Sequence, residues 1–69
     1  MKTEIQSAIA RSISHNEIVR VTVSDMHAAL AEINACCEDY DHVTTDSGED
    51  IWGALEDGSE FRLLAVLTR

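Results

Sequence analysis

No lysine or arginine stands between Arg20 and Arg62, although residues 21–61 hold eleven carboxylates. Holding a nucleic-acid backbone requires Lys and Arg to displace its counterions. Adhesion to an anionic membrane needs the same cations. Both are therefore excluded as direct partners of this span. Long apolar runs are missing as well, and no stretch approaches the roughly 18 residues of a membrane-spanning helix. The three glycines form no phosphate-cradling loop, and no serine sits in a nucleophile elbow. Cysteine is confined to the adjacent pair Cys36 and Cys37. Sequence neighbours rarely bond to each other, so in a cytosolic chain the pair reads as two reduced thiols, at least one of them in the core.

The chain has 69 residues, which makes residues 1–69 one domain. A domain this short buries only about 60% of the surface that its unfolded chain exposes. Its stability is marginal without a staple such as a disulfide, a metal, very good packing or a partner subunit. The apolar share is 45%, which excludes disorder. The formal net charge is −8 and unevenly spread. The start of the chain, Met1 to Ser14, reads as an amphipathic helix rather than a signal peptide. The expectation is a cytoplasmic protein.

Thr3 followed by Gln6 fits a capping box. Ile5, Ala8, Ile9, Ser12 and Ile13 then recur at helical spacing. These signals predict a helix over 3–15, stopped near Asn16, which accepts the left-handed conformation. The alternation in "IVRVTV", 18–23, predicts a strand with Val19, Val21 and Val23 on one face. Ser24 and Asp25 cap a second helix running to about residue 38, with Met26, Ala29, Leu30, Ile33 and Cys37 as its buried stripe. "HVTT" (42–45) reads as a short strand and "DSGE" (46–49) as a turn. "DIWGAL" and "SEFRLLAVL" read as a hairpin closed at Asp57-Gly58. A two-residue turn there pairs Trp52 with Leu63 and Ala54 with Phe61. Trp52, Ala54, Phe61, Leu63 and Ala65 then face the helices. Ile51, Leu55, Leu64 and Val66 share the other face with Arg62. The expected fold is α+β: a small antiparallel sheet of three to four strands, two helices on one face, order α-β-α-β-β(-β).

Candidates for chemistry are thin. His15, His27 and His42 have no spacing that brings two together. Cys36, Cys37 and His42 make a poor zinc set, because adjacent thiolates do not easily reach one ion. "DYDHVTTDSGED" (39–50) starts like a calcium-binding loop. It fails at Val43 and at Thr44, where the turn requires glycine, and it ends in Asp50 instead of Glu. No nucleophile has an activating base beside it in sequence, and a sheet this small leaves little room for a cleft. The reading is a non-enzyme with no cofactor and no metal.

The acidic span is the feature that remains. Natural surfaces usually mix both signs, whereas this one concentrates a single sign that would attract a basic groove. The candidate partner-binding residues are Glu38, Asp39, Asp41, Asp46, Glu49, Asp50, Glu56, Asp57 and Glu60. A second possible interface is the apolar set Ile51, Leu55, Leu64 and Val66, as a homodimer face.

With its length, charge, two helices and small sheet, the chain resembles the acidic inhibitors encoded by phages and mobile elements. In particular it resembles anti-CRISPR proteins acting on type I surveillance complexes. "SDMHAALAEINACCED" and "DIWGALEDGSEFRLLAVL" are similar to segments of such proteins. The resemblance implies stoichiometric inhibition of a CRISPR surveillance complex, with carboxylates standing in for DNA phosphates. Two other readings stay open. One is a non-enzymatic homodimeric interaction or regulatory module. The other is an antitoxin or immunity protein for a basic nuclease.

Overall fold

The computed structural model describes residues 3–37 and 39–68. Helix α1 (Glu4–His15) starts at Thr3, whose hydroxyl accepts from the Gln6 N–H while the Gln6 side chain accepts from the Thr3 N–H. It stops at Asn16, which takes the left-handed conformation (φ 52°). Strand β1 (Ile18–Val23) follows, then α2 (Met26–Cys36), capped by the Asp25 carboxylate on the N–H groups of His27 and Ala28. Three strands complete the chain: β2 (Asp39–Thr45), β3 (Gly48–Ala54) and β4 (Glu60–Leu67). Helix α2 ends at Cys36, before the expected residue 38, and β2 starts three residues before "HVTT".

The four strands form one sheet in the order β1-β4-β3-β2. Class α+β is correct, but the sheet is mixed rather than antiparallel: β1 runs parallel to β4. Direction follows from connectivity. Two tight hairpins make β4 antiparallel to β3 and β3 antiparallel to β2. Helix α2 carries the chain back between β1 and β2, so those strands point the same way. A β4 that inserts beside β1 must then lie parallel to it.

One sheet face carries the core. Val19, Val21 and Val23 of β1, Ile51 of β3, and Phe61, Leu63 and Ala65 of β4 pack beneath Ile5, Ala8 and Ile9 of α1 and Ala29 and Ile33 of α2. Phe61, Ile33, Ile51 and Leu63 are the largest side chains fully removed from water. Ser12 lies buried on α1 and ties it to the sheet. Its hydroxyl accepts from the Arg62 N–H (2.8 Å) and is within donating distance of the Glu17 and Arg62 carbonyls.

The β3–β4 register differs from the sequence expectation by one residue. The loop has three residues, Glu56-Asp57-Gly58, not two. The Gly58 N–H closes on the Leu55 carbonyl, and the Leu55 N–H donates to Ser59. Gly58 takes φ 89°, as a three-residue hairpin loop requires of its last residue. The extra residue pairs Ile51 with Leu63 and Trp52 with Arg62. Because alternate residues face opposite ways, every assignment on β3 inverts. Ile51 enters the core, while Trp52 and Ala54 turn to the uncovered face. Leu55 packs against the core, so only Leu64 and Val66 of the expected dimer face lie on the open side.

This register makes a stability prediction. Ile51→Ala should cost about 2–5 kcal/mol. Trp52→Ala should cost about 1 kcal/mol or less, as expected of a surface site. Urea unfolding at low protein concentration checks the pair. A larger loss at Trp52 than at Ile51 would restore the two-residue turn.

Candidate functional site

The acidic side chains come from the three strands made by the hairpins and their turns, and the fold sorts them into four places. Asp39 and Asp41 on β2, Asp50 on β3 and Glu60 on β4 share the open face. Asp46 sits at the β2–β3 tip. Glu56 and Asp57 occupy the β3–β4 loop, at the opposite end of the sheet. Glu49 alone of the described candidates points to the helix side. Glu38 lies outside the described residues. The segment that starts like a calcium loop is a β-hairpin, with Asp39 and Asp41 on one strand and Asp50 on the other. Among the described residues no group of three or more His, Cys, Asp or Glu is arranged to hold a metal ion.

Several of these carboxylates have local work. Glu49 is buried opposite Ala65 and is engaged on both oxygens. His42 Nδ1 lies 2.6 Å from Oε2, and the Thr44 hydroxyl donates to Oε1 at 2.8 Å. It is a structural residue, not a surface contact, which corrects its place among the partner-binding candidates. The His42 hydrogen bond, then that from Thr44, hold its carboxyl below the ordinary 4.5, against the opposing effect of burial. Asp57 accepts from the Ser59 N–H (2.9 Å), and that bond lowers its pKa while it braces the loop. Asp41 accepts from the His42 N–H on the edge strand (2.8 Å). A polar group on an unpaired edge is thereby satisfied within the chain. Asp39, Asp46, Asp50, Glu56 and Glu60 have no side-chain hydrogen bond or ion pair among the described residues.

The absence of cations in the sequence span does not carry over unchanged to the surface. Arg62 lies between Trp52 and Ile18 in one cross-strand row that begins at Asp41. Arg20 ends the next row, after Val43, Asp50 and Leu64. Neither arginine makes an ion pair among the described residues. Arg11 pairs with Glu17 at 3.8 Å on the exposed end of α1.

A groove of about 820 Å³ opens where β4 begins, walled by Asp39, Tyr40, Asp41, Trp52, Glu60 and Arg62. The sheet end thus has more room than its size suggested. The groove offers carboxylates, one indole, the Tyr40 ring and the Arg62 guanidinium for contact. Among the described residues no hydroxyl or thiol is hydrogen-bonded to a histidine, the pairing a nucleophile needs. Cys37 is buried with its thiol donating to the Ala54 carbonyl, and Cys36 accepts weakly from the Gln6 amide. They tether α2 to its neighbours and are both free thiols.

Sequence reasoning missed the His42–Glu49 pair, the exposure of Trp52 and the rows that set Arg62 and Arg20 beside the acids of β2 and β3. The signal for Trp52 was present in "EDG", where a glycine third in the loop favours the three-residue form. The His42–Glu49 pair joins positions seven apart across a hairpin whose register had to be known first.

No helix of the described residues is long and apolar enough to cross a membrane. Comparison with protein-family models, with curated proteins and with solved structures gives no match to the chain.

The Glu49 environment sets a pH dependence. A carboxyl whose pKa is lowered on folding stabilises the protein fully above its unfolded value, and the contribution is lost as pH falls through the folded value. Glu49→Gln should therefore be less stable than the parent at pH 6. The gap should close on acidification below about pH 4.5. Urea unfolding of both proteins between pH 3 and 7 checks this. A gap independent of pH would mean that the charge of Glu49 contributes nothing.

Proposed function

We propose that the protein is a non-enzymatic, stoichiometric inhibitor in the cytoplasm, of the anti-CRISPR type, whose carboxylates occupy a basic groove built for nucleic acid. One observation carries the reading. Asp39, Asp46, Asp50, Glu56 and Glu60 project from a single three-strand unit, and no Lys or Arg among the described residues neutralises them. Carboxylates left unpaired on a compact domain repel one another. A basic partner removes that repulsion and gains attraction, which speeds encounter and strengthens binding. A type I surveillance complex, whose DNA channel is basic, is the partner class that the resemblance implies.

The test uses three residues with no structural bond: Asp46, Glu56 and Glu60, all changed to Lys. Each exposed pair contributes about 0.2–1 kcal/mol. Their joint reversal should weaken binding to a purified type I surveillance complex by about 3- to 100-fold. Parent binding should fall steeply between low and high salt and should be competed by target DNA. Equal binding by a folded triple variant, or parent binding that neither salt nor DNA affects, would remove the mimicry.

A further inference from the structure

The helices cover one sheet face only. Val43, Trp52, Leu64, Val66 and Ile18 are apolar neighbours across the other: Val43–Trp52, Trp52–Leu64 and Leu64–Ile18 lie on the diagonal between strands, and Leu64–Val66 lie along β4. Trp52 is 41% exposed, Val43 48% and Ile18 53%. Stripes of this kind mark interaction surfaces. The charges beside this one are divided. Asp39, Asp41 and Asp50 lie on the β2–β3 half; Arg20 and Arg62 lie on the β1–β4 half, with Glu60 at the end where β4 begins.

We infer that this face is closed by a second copy of the same chain, in an isologous dimer whose two-fold axis runs along the strands. Rotation about that axis sets the β2–β3 half of each copy over the β1–β4 half of the other. Sheets packed face to face lie about 10 Å apart with strands roughly aligned. Trp52 then stacks toward the second copy's Arg62, a favourable cation–π arrangement when desolvated. Asp41 and Asp50 flank the second copy's Arg20. Every contact occurs twice, as an isologous interface demands. A face of four strands, six to eight residues long, measures roughly 400 Å² in plan. That places the dimer at the small end of specific interfaces, so it dissociates on dilution. The partner subunit also serves as the staple that a domain this small needs. The dimer covers Asp39, Asp50 and Glu60, which the proposed inhibitor role also uses, and leaves Asp46, Glu56 and Asp57 at the hairpin tips free.

Sedimentation of the native chain from roughly 1 to 500 µM reads the mass, and its only tryptophan reads the face. The expected result is a doubling of mass with concentration, accompanied by a blue shift and quencher protection of Trp52. Asp41→Arg alone and Arg20→Asp alone should each be monomeric, since both place like charges together twice over. Mixed in equal amounts, they should form a heterodimer, because both contacts are restored. A monomer at every concentration, or a dimer with Trp52 emission unchanged, overturns the inference. Failure of the mixed variants to associate overturns the two-fold arrangement. Dimerisation with no binding to a surveillance complex would leave this inference standing and remove the inhibitor role.

Discussion

Gly58 adopts a positive φ at the end of a three-residue loop, and through the loop's length it decides which way every residue of β3 points. A strand beside a fixed neighbour has two choices of facing, and a one-residue change in the turn exchanges them. With this loop Ile51 meets Leu63 beneath the helices and Trp52 meets Arg62 outside. Burial confirms the choice energetically. Ile51 and Leu63 are nearly inaccessible to water, alongside Phe61 and Ile33. The small core is assembled around that row, and Ser12 locks α1 against the start of β4 through both backbone groups of Arg62.

Charge is the second constraint. A chain of net charge −8 works against its own compaction. The fold limits the cost in two ways. Among the candidate partner-binding acids it gives three carboxylates hydrogen-bond donors, with His42 and Thr44 on Glu49, the His42 N–H on Asp41 and the Ser59 N–H on Asp57. It also spreads the others between the open face and two tips at opposite ends of the sheet. On the open face Arg20 and Arg62 stand on the β1–β4 half and Asp39, Asp41 and Asp50 on the β2–β3 half, interleaved with apolar residues, with Glu60 where β4 begins. That division of sign on one exposed surface motivates the dimer, and the unpaired tips motivate the inhibitor. The two readings share the open-face acids Asp39 and Asp50 and part at the tips, where Asp46 and Glu56 serve the inhibitor alone.

Much of this was legible along the chain. The capping box at Thr3 and Gln6, the left-handed stop at Asn16, the alternation of β1 and the Asp25 cap are local signals, each carried within one turn of helix or a few residues of strand. Those signals determined both helices, the first strand and the buried stripes of Ile5, Ala8, Ile9 and Ser12 and of Ala29 and Ile33. The clustering of acids on the last three strands was also plain from composition.

What the sequence by itself determined is therefore the set of elements and the acidic character of the last three strands. Only the tertiary structure decided which acids are free and which are bound, that Arg20 and Arg62 join the acidic face, and that β1 lies parallel to β4. The physical reason is range. Caps and periodicity act between residues a few positions apart. The pairing of Ile18 with Arg62, or of Glu49 with His42, depends on strand order and register, which are set by the length of one loop and the burial of one row of side chains.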